Sequence, residues 1–248
     1  MPGGSENPMI ALLCSVQNEA ELLLTNTHLF ETLTLGSKPI YAGELAGQEI
    51  CLCVGGMGKV NAAHAATLLL TQFEPTALIL FGIGGAYPAS GAAVGDIALA
   101  QEEIAGDEGV LTLDGFKDTE YISIPLARAA GSNFFNCFPA SEMLLSRART
   151  AVTRAMNSQR IHIGTFVTLS TCTGTSNRAA ELNTQYHGLC ENMEGAAVAQ
   201  VATLHSIPWL EIRGISNIVE DRDINKWDIP QAAEAAQKAV MGIVEAWD

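Results

Sequence analysis

Short apolar runs alternate along this chain with longer stretches in which Ala, Leu and Gln recur every three or four residues. The runs at 9–14, 50–54, 77–81, 97–100, 161–169 and 209–212 read as buried strands. The stretches at 60–73, 141–156, 178–186, 195–205 and 231–247 read as helices. Such alternation predicts a largely parallel sheet covered by helices on both faces. Residues 41–45 and 48–54, joined by Ala46-Gly47, predict a hairpin inserted in that sheet. Residues 102–136 differ in texture, with Gly106-Asp107-Glu108-Gly109, Asp114-Gly115 and Gly131-Ser132-Asn133, and predict loops and short strands. With no internal repeat or long linker, residues 1–248 read as one α/β domain.

Composition narrows the function. A 248-residue chain that is 48% hydrophobic and only 16% charged can bury a large core. Its net charge of -14 argues against nucleic acid or an anionic membrane as partner, since both require a basic face. No apolar run is long enough to span a bilayer, and Met1-Pro-Gly-Gly-Ser-Glu lacks the features of a signal peptide, so a cytoplasmic location is expected. The six cysteines lack CxxC spacing and read mostly as buried thiols. The five histidines show no metal-binding spacing, and Ser90 lacks the turn of an esterase nucleophile. No metal or cofactor is expected.

Polar residues at the ends of apolar stretches carry the candidate chemistry. Glu19 follows the first strand, Met193-Glu194 precedes a helix, and the run 209–217 contains Arg213 and ends at Asn217. Two glycine clusters follow strands. Gly55-Gly56-Met57-Gly58-Lys59 satisfies neither the nucleotide phosphate-loop nor the dinucleotide pattern. Gly82-Ile83-Gly84-Gly85 would either pack closely against other main chain or present bare backbone to a ligand. Each candidate also has a plain structural reading. Glu19 and Glu194 could be acids that open helices, Arg213 the partner of a core carboxylate, and Asn217 a strand terminator.

The segments 10–19, 56–60, 82–85 with 94–96, 192–195 and 213–217 occur in the order found in the nucleoside phosphorylase and nucleosidase superfamily, which the chain resembles from residue 10 to about residue 220. The resemblance implies a three-layer α/β fold with a mixed, largely parallel central sheet. It also implies cleavage of an N-glycosidic bond through a ribosyl cation. By the same resemblance Glu194 would grip the ribose hydroxyls, Met193 pack beneath the sugar, Glu19 activate water and Arg213 help hold that water. Gly84, Gly85, Thr171 and Thr173 would border the substrate, with Phe166 a candidate partner for the purine ring.

Within the superfamily the sequence resembles the methylthioadenosine nucleosidases and, most closely, the futalosine hydrolases. Methylthioadenosine nucleosidases carry an aspartic acid where Asn217 stands, and an amide there suits a 6-oxopurine. The expectation is therefore hydrolysis of futalosine to hypoxanthine and dehypoxanthine futalosine, on the route to menaquinone. The alternatives are a 5'-methylthioadenosine/S-adenosylhomocysteine nucleosidase, a purine nucleoside phosphorylase, or a nucleoside-binding module without turnover. Lys117, Arg128 and Arg178 are equivalent candidates for the 5' carboxylate of futalosine. Because no arginine precedes Arg128 to clamp phosphate, water is the expected acceptor. The resemblance also implies a homodimer or higher homo-oligomer. Ile83 departs from the small hydroxyl residue that the nucleosidases place near the water.

Overall fold

A computed structural model describes residues 8–156 and 160–247. The expectation drawn from residues 1–6, that no signal peptide is present, lies outside them. The apolar run Ile10–Cys14 forms strand β1, fully buried along its length. Its side chains alternate between two cores: Ala11 and Leu13 enter one, Ile10, Leu12 and Cys14 the other. Parallel neighbours flank it, β4 (Gln48–Val54) on one side and β5 (Ala77–Ala86) on the other. Beyond β4 lie β3 (Lys38–Leu45) and β2 (His28–Leu35), both antiparallel. The expected hairpin is thus present and carries an additional strand. No apolar run announced β2, because most of its residues are exposed at the sheet edge.

On the other side of β5 the sheet closes upon itself. Strand β14 (Trp209–Ile218) pairs parallel with β5 and antiparallel with β6 (Ile97–Ala105). β6 pairs parallel with β12 (Ile161–Thr168), β12 parallel with β13 (Cys190–Asn192), and β13 antiparallel with β5 again. These five strands make a ring, and the end of β5 is held from both sides. β6 runs past its expected end at Ala100 because Glu103, which reads as a surface residue, is fully buried inside this region. Residues 102–136 form the end of β6 and two small hairpins, β7 (Val110–Thr112) with β8 (Gly115–Lys117) and β9 (Ala127–Ala129) with β10 (Ser132–Phe134). β11 (Cys137–Pro139) then pairs with β6.

Helices cover both faces as expected. α2 (Lys59–Phe73) and α5 (Gly195–Leu204) pack together over the Ala11–Leu13 side, where Ala62, Ala65, Ala66, Ala199 and Ala202 allow close approach. α3 (Glu142–Ala155) and α6 (Ile229–Glu245) cover the opposite face, with the short α1 (Glu21–Asn26) against α6. α4 (Ser176–Tyr186) closes a third, smaller core around Tyr87, Val167 and Leu169. The result is the three-layer α/β arrangement with a mixed central sheet. Among the described residues no helix is long and apolar enough to cross a membrane. Four cysteines are buried thiols, whereas Cys137 and Cys172 are exposed, so that expectation holds only in part.

The start of α5 shows how the ring positions functional groups. A helix leaves its first main-chain N–H groups without partners. Here Asn192 Oδ1 accepts from the N–H groups of Glu194 and Gly195 at 2.9 and 2.7 Å, and the Thr168 hydroxyl accepts from Ala196 at 2.7 Å. Side chains of β12 and β13 therefore fix the residue at which α5 begins, and with it Glu194. Replacing Asn192 with Ala should lower stability by about 2 kcal/mol, because buried donors lose their acceptor. Chemical denaturation checks this; an unchanged midpoint would remove Asn192 from that role.

Candidate active site

A cavity of about 270 Å³ opens where β5, β13 and β14 end, close to the lower limit, roughly 300 Å³, of pockets that enclose a small ligand. Glu19, Glu194, Arg213, Asn217, Met193, Gly84, Gly85 and Thr173 all line it. Thr171 does not: it is exposed and outside the lining, because the loop after β12 turns Cys172 and Thr173 inward instead. Phe166 is also excluded. It lies fully buried within β12, in the core, and cannot stack on a ligand.

Glu19 sits in a short turn before α1, and its carboxylate is held by main chain on two sides. One oxygen accepts from the N–H groups of Ser15 and Val16 at 2.9 and 3.1 Å, the other from Ile83 at 2.9 Å. The capping role is therefore real, and it coexists with a place in the cavity. Gly82 makes this approach possible, since a methyl group there would overlap the Glu19 carboxylate. The isoleucine at 83 lines the cavity and takes part through its backbone, whose N–H donates to Glu19 and whose carbonyl accepts from Arg213. Burial pushes the Glu19 pKa above its ordinary value, and the nearby Arg213 charge and the three amide donors only partly oppose this.

Arg213 is fully buried and binds on three sides. Its Nε donates to Glu211 at 2.8 Å, one terminal nitrogen donates to the carbonyl of Ile83 at 3.1 Å, and the other reaches Glu194 at 3.4 Å. Burial disfavours its charge, but Glu211, Glu194 and Glu19 more than offset this and raise its pKa. The second Glu194 oxygen accepts from Gly58 N–H at 2.8 Å, so the glycine turn after β4 supplies a donor to a carboxylate. Lys59, next in that turn, is committed to Asp107 and Glu108. The Asn217 amide is already engaged, accepting from Ser216 at 2.9 Å and donating to the carbonyl of Ile218 at 3.1 Å.

Several lining residues were not singled out in the sequence, although some fall within its motifs. Glu191 and Ser216 reach the cavity through strand register, while Val16, Met57, Val219 and Trp227 come from loops. Apolar side chains make up much of the wall, so electrostatic interactions inside it are strengthened.

Comparison with known proteins places this geometry. A sequence profile of the phosphorylase superfamily matches residues 9–246. The chain belongs to this superfamily. A 5'-methylthioadenosine/S-adenosylhomocysteine nucleosidase of Maridesulfovibrio salexigens is 30% identical, covering 86% of this chain and 87% of the relative. One from Listeria monocytogenes is also 30% identical, covering 88% and 90% respectively. Among solved phosphorylase-superfamily structures, the Neisseria meningitidis nucleosidase bound to methylthio-immucillin-A superposes with a TM-score of 0.83 at 24% identity, over 96% of this chain and 99% of the other. A Streptococcus pyogenes S-adenosylhomocysteine nucleosidase gives 0.84 at 22%, over 98% of each chain. At such identities the superpositions speak for the fold.

These relatives overturn the expectation of futalosine hydrolysis, since they are 5'-methylthioadenosine/S-adenosylhomocysteine nucleosidases. The physical reason is local. That expectation leaned on Asn217 as a free amide, whereas Ser216 and Ile218 already take part of its hydrogen-bonding capacity. Moreover, none of Lys117, Arg128 and Arg178 lines the cavity to meet a 5' carboxylate. The broader expectation, an N-glycosyl hydrolase acting on a purine nucleoside, agrees with the relatives.

Behind the cavity lies a carboxylate pair. Glu103 Oε1 accepts from Asn192 at 2.5 Å and Oε2 from the Thr168 hydroxyl at 2.7 Å, while Glu211 Oε2 has no donor if both acids are ionised. Both pack against Gly195, where a methyl group would overlap each. A proton on Glu103 directed at Glu211 satisfies that oxygen. Burial first, and then the Glu211 charge, raise the Glu103 pKa strongly. The folded state thus retains a proton that the unfolded chain releases. The associated stabilisation is fully present below the ordinary glutamate range and is lost as pH rises through the folded value. Glu103→Gln, which cannot titrate, should lose less thermal stability than the parent between roughly pH 5 and 9. Parallel melting curves over that range would show the contrast; identical pH dependence would contradict the shared proton.

Proposed function

We propose that this chain hydrolyses the N-glycosidic bond of 5'-substituted adenine nucleosides, with 5'-methylthioadenosine and S-adenosylhomocysteine the first substrates to consider. The observation that carries the reading is the placement of Glu19 and Glu194 in one cavity on either side of Arg213, each oriented by main-chain donors. As the bond to the purine lengthens, positive charge grows on the sugar, and two buried carboxylates favour it. Glu19 directs a water at C1' and takes its proton, a role its raised pKa suits. Glu194 accepts from the ribose hydroxyls, and Met193 covers the sugar against bulk water. An apolar 5' thioether fits a wall built partly by Val16, Met57, Ile83, Val219 and Trp227.

Water is favoured over phosphate as the acceptor on electrostatic grounds. Arg213 is the one cation lining the cavity among the described residues, and three of its five N–H donors, with its charge, are committed to Glu211, Glu194 and the Ile83 carbonyl. A dianion would meet three carboxyl groups and a single cation whose charge they already share. The reading treats the chain as one domain, supported by a single sheet that draws strands from residue 10 to residue 218. It also includes a homo-oligomer, for which the exposed apolar side chains of Met57, Val60, Leu111, Leu113 and Ile124 offer surface.

Incubation with 5'-methylthioadenosine, S-adenosylhomocysteine and inosine, with and without phosphate, tests the reaction. Adenine release at a rate independent of phosphate is expected; release that requires phosphate and yields a sugar phosphate would replace hydrolysis by phosphorolysis. Glu19→Gln should lower kcat about 100-fold with little change in KM, since the amide keeps the shape but cannot take a proton. Activity should also fall on the acid side at a pH above the ordinary carboxylate range, as Glu19 becomes protonated. Full activity of the variant would remove Glu19 from the role of base.

A further inference from the structure

Cleavage leaves the purine with an electron pair that a proton must meet, and the Asn217 amide has none to release. Among the described residues lining the cavity, the carboxyl groups are those of Glu19, Glu191 and Glu194. Glu19 and Glu194 are gathered about Arg213. Glu191 stands elsewhere: β13 and β14 flank β5, and Glu191 and Asn217 are both in register with Gly85. Residues paired in this way project to one face of a sheet. A Cβ on Gly85 would indeed lie 3.1 Å from the Asn217 amide nitrogen. With strands spaced about 4.8 Å apart, Glu191 and Asn217 border a gap roughly 10 Å wide over Gly85, and the Val219 side chain enters it to within 2.8 Å of where a Gly85 Cβ would lie. All four residues line the cavity, so a flat heterocycle lying along Val219 and the bare Gly85 backbone has Glu191 and Asn217 at its two edges.

We propose that Glu191 is the acid that protonates the departing purine. This rests on the hydrolase reading above. The residue is more than nine-tenths buried, and its carboxyl is oriented by the Thr173 N–H at 2.7 Å, the Thr173 hydroxyl at 2.6 Å and the Tyr87 hydroxyl at 3.1 Å. A carboxyl group has about four lone-pair sites, so one remains for a ligand. The Thr173 hydroxyl can donate to the carboxylate or accept from the acid, which accommodates both protonation states. Burial raises the Glu191 pKa, against the bonds from Thr173 and Tyr87 and the charge of Arg178 on α4. The nearby thiols of Cys172 and, on the other face of β13, Cys190 are themselves pushed up by burial and stay neutral. A purine over the carboxyl would exclude more water and hold the proton further.

In the step, the C1'–N9 bond breaks with its electrons passing to the purine, and Glu191 gives its proton to a ring nitrogen. Water oxygen bonds to C1' and yields a proton to Glu19. Neutral purine and free sugar leave; one proton returned through solvent from Glu19 to Glu191 resets both acids.

The test compares the unaltered protein, Glu191→Gln and the double variant Glu191→Gln/Asn217→Asp on 5'-methylthioadenosine and on 4-nitrophenyl riboside, whose leaving group needs no proton. Glu191→Gln should lose about 100-fold or more in kcat on the purine nucleoside while keeping its rate on the nitrophenyl riboside. It should also lose the alkaline limb of the pH profile. The double variant, with an acid restored across the gap, should regain purine hydrolysis. Undiminished purine hydrolysis by Glu191→Gln, or equal losses on both substrates, would overturn the assignment while leaving the hydrolase reading intact. Absence of base release by the unaltered protein would overturn both.

Discussion

One buried guanidinium organises the site. Arg213 lies on β14 with no access to solvent, and removing such a charge from water costs several kcal/mol unless opposite charges and hydrogen bonds replace the lost hydration. Glu211, Glu194, Glu19 and the Ile83 carbonyl do so from four directions. The same contacts help fix where Glu19 and Glu194 stand. A site built on this ion cannot loosen one member without exposing the others to a bare charge, so electrostatic satisfaction and geometric precision are a single requirement. The closure of the sheet serves the same end, because the pairing of β14 with both β5 and β6 brings Arg213 beside Ile83 and Glu211 beside Glu103.

How far the fold was legible follows from where its information is stored. The parallel strands are buried on both faces, so their apolar runs stand out, and the helices that cover them carry periodic Ala and Leu. β2 escaped because edge strands are exposed, and β13 because its three residues include Glu191 and Asn192. The end of β6 was missed for a related reason. Gln101, Glu102 and Glu103 look like a surface turn, yet Glu103 is inside, paid for by Asn192, Thr168 and a shared proton. A buried acid cannot be told from an exposed one by its letter; only its partners distinguish them, and these lie 65 to 108 positions away in Thr168, Asn192 and Glu211.

The site divides along the same line. Glu19, Glu194 and Arg213 could be picked out because each closes an apolar stretch within a motif. The loop after β12 could not be placed, since nothing local determines whether Thr171 or Thr173 faces inward; the hydrogen bonds from Thr173 to Glu191 decide it. Phe166 was a natural candidate for ring stacking, but the alternation of β12 directs it into the core. Asn217 was over-read in isolation. An amide with both ends free is a strong reader of a base, while one bound to Ser216 and Ile218 has a narrower vocabulary.

The charge balance of the cavity connects these points to the chemistry. Three lining carboxyl groups face one arginine, in a chain already strongly acidic. Were all three ionised, mutual repulsion in a partly apolar enclosure would be severe, and the cheapest relief is a proton on the acid furthest from Arg213. Burial acts in that direction on both Glu191 and Glu19, opposed at Glu19 first by the Arg213 guanidinium and then by three amides, and at Glu191 by the hydrogen bonds from Thr173 and Tyr87 and the charge of Arg178. Of the two, Glu19 is the one with the Arg213 charge as its main opposing influence, and that difference suits Glu19 to take a proton and Glu191 to give one. That asymmetry is what hydrolysis of a glycosidic bond requires, and it arises here from the position of Arg213.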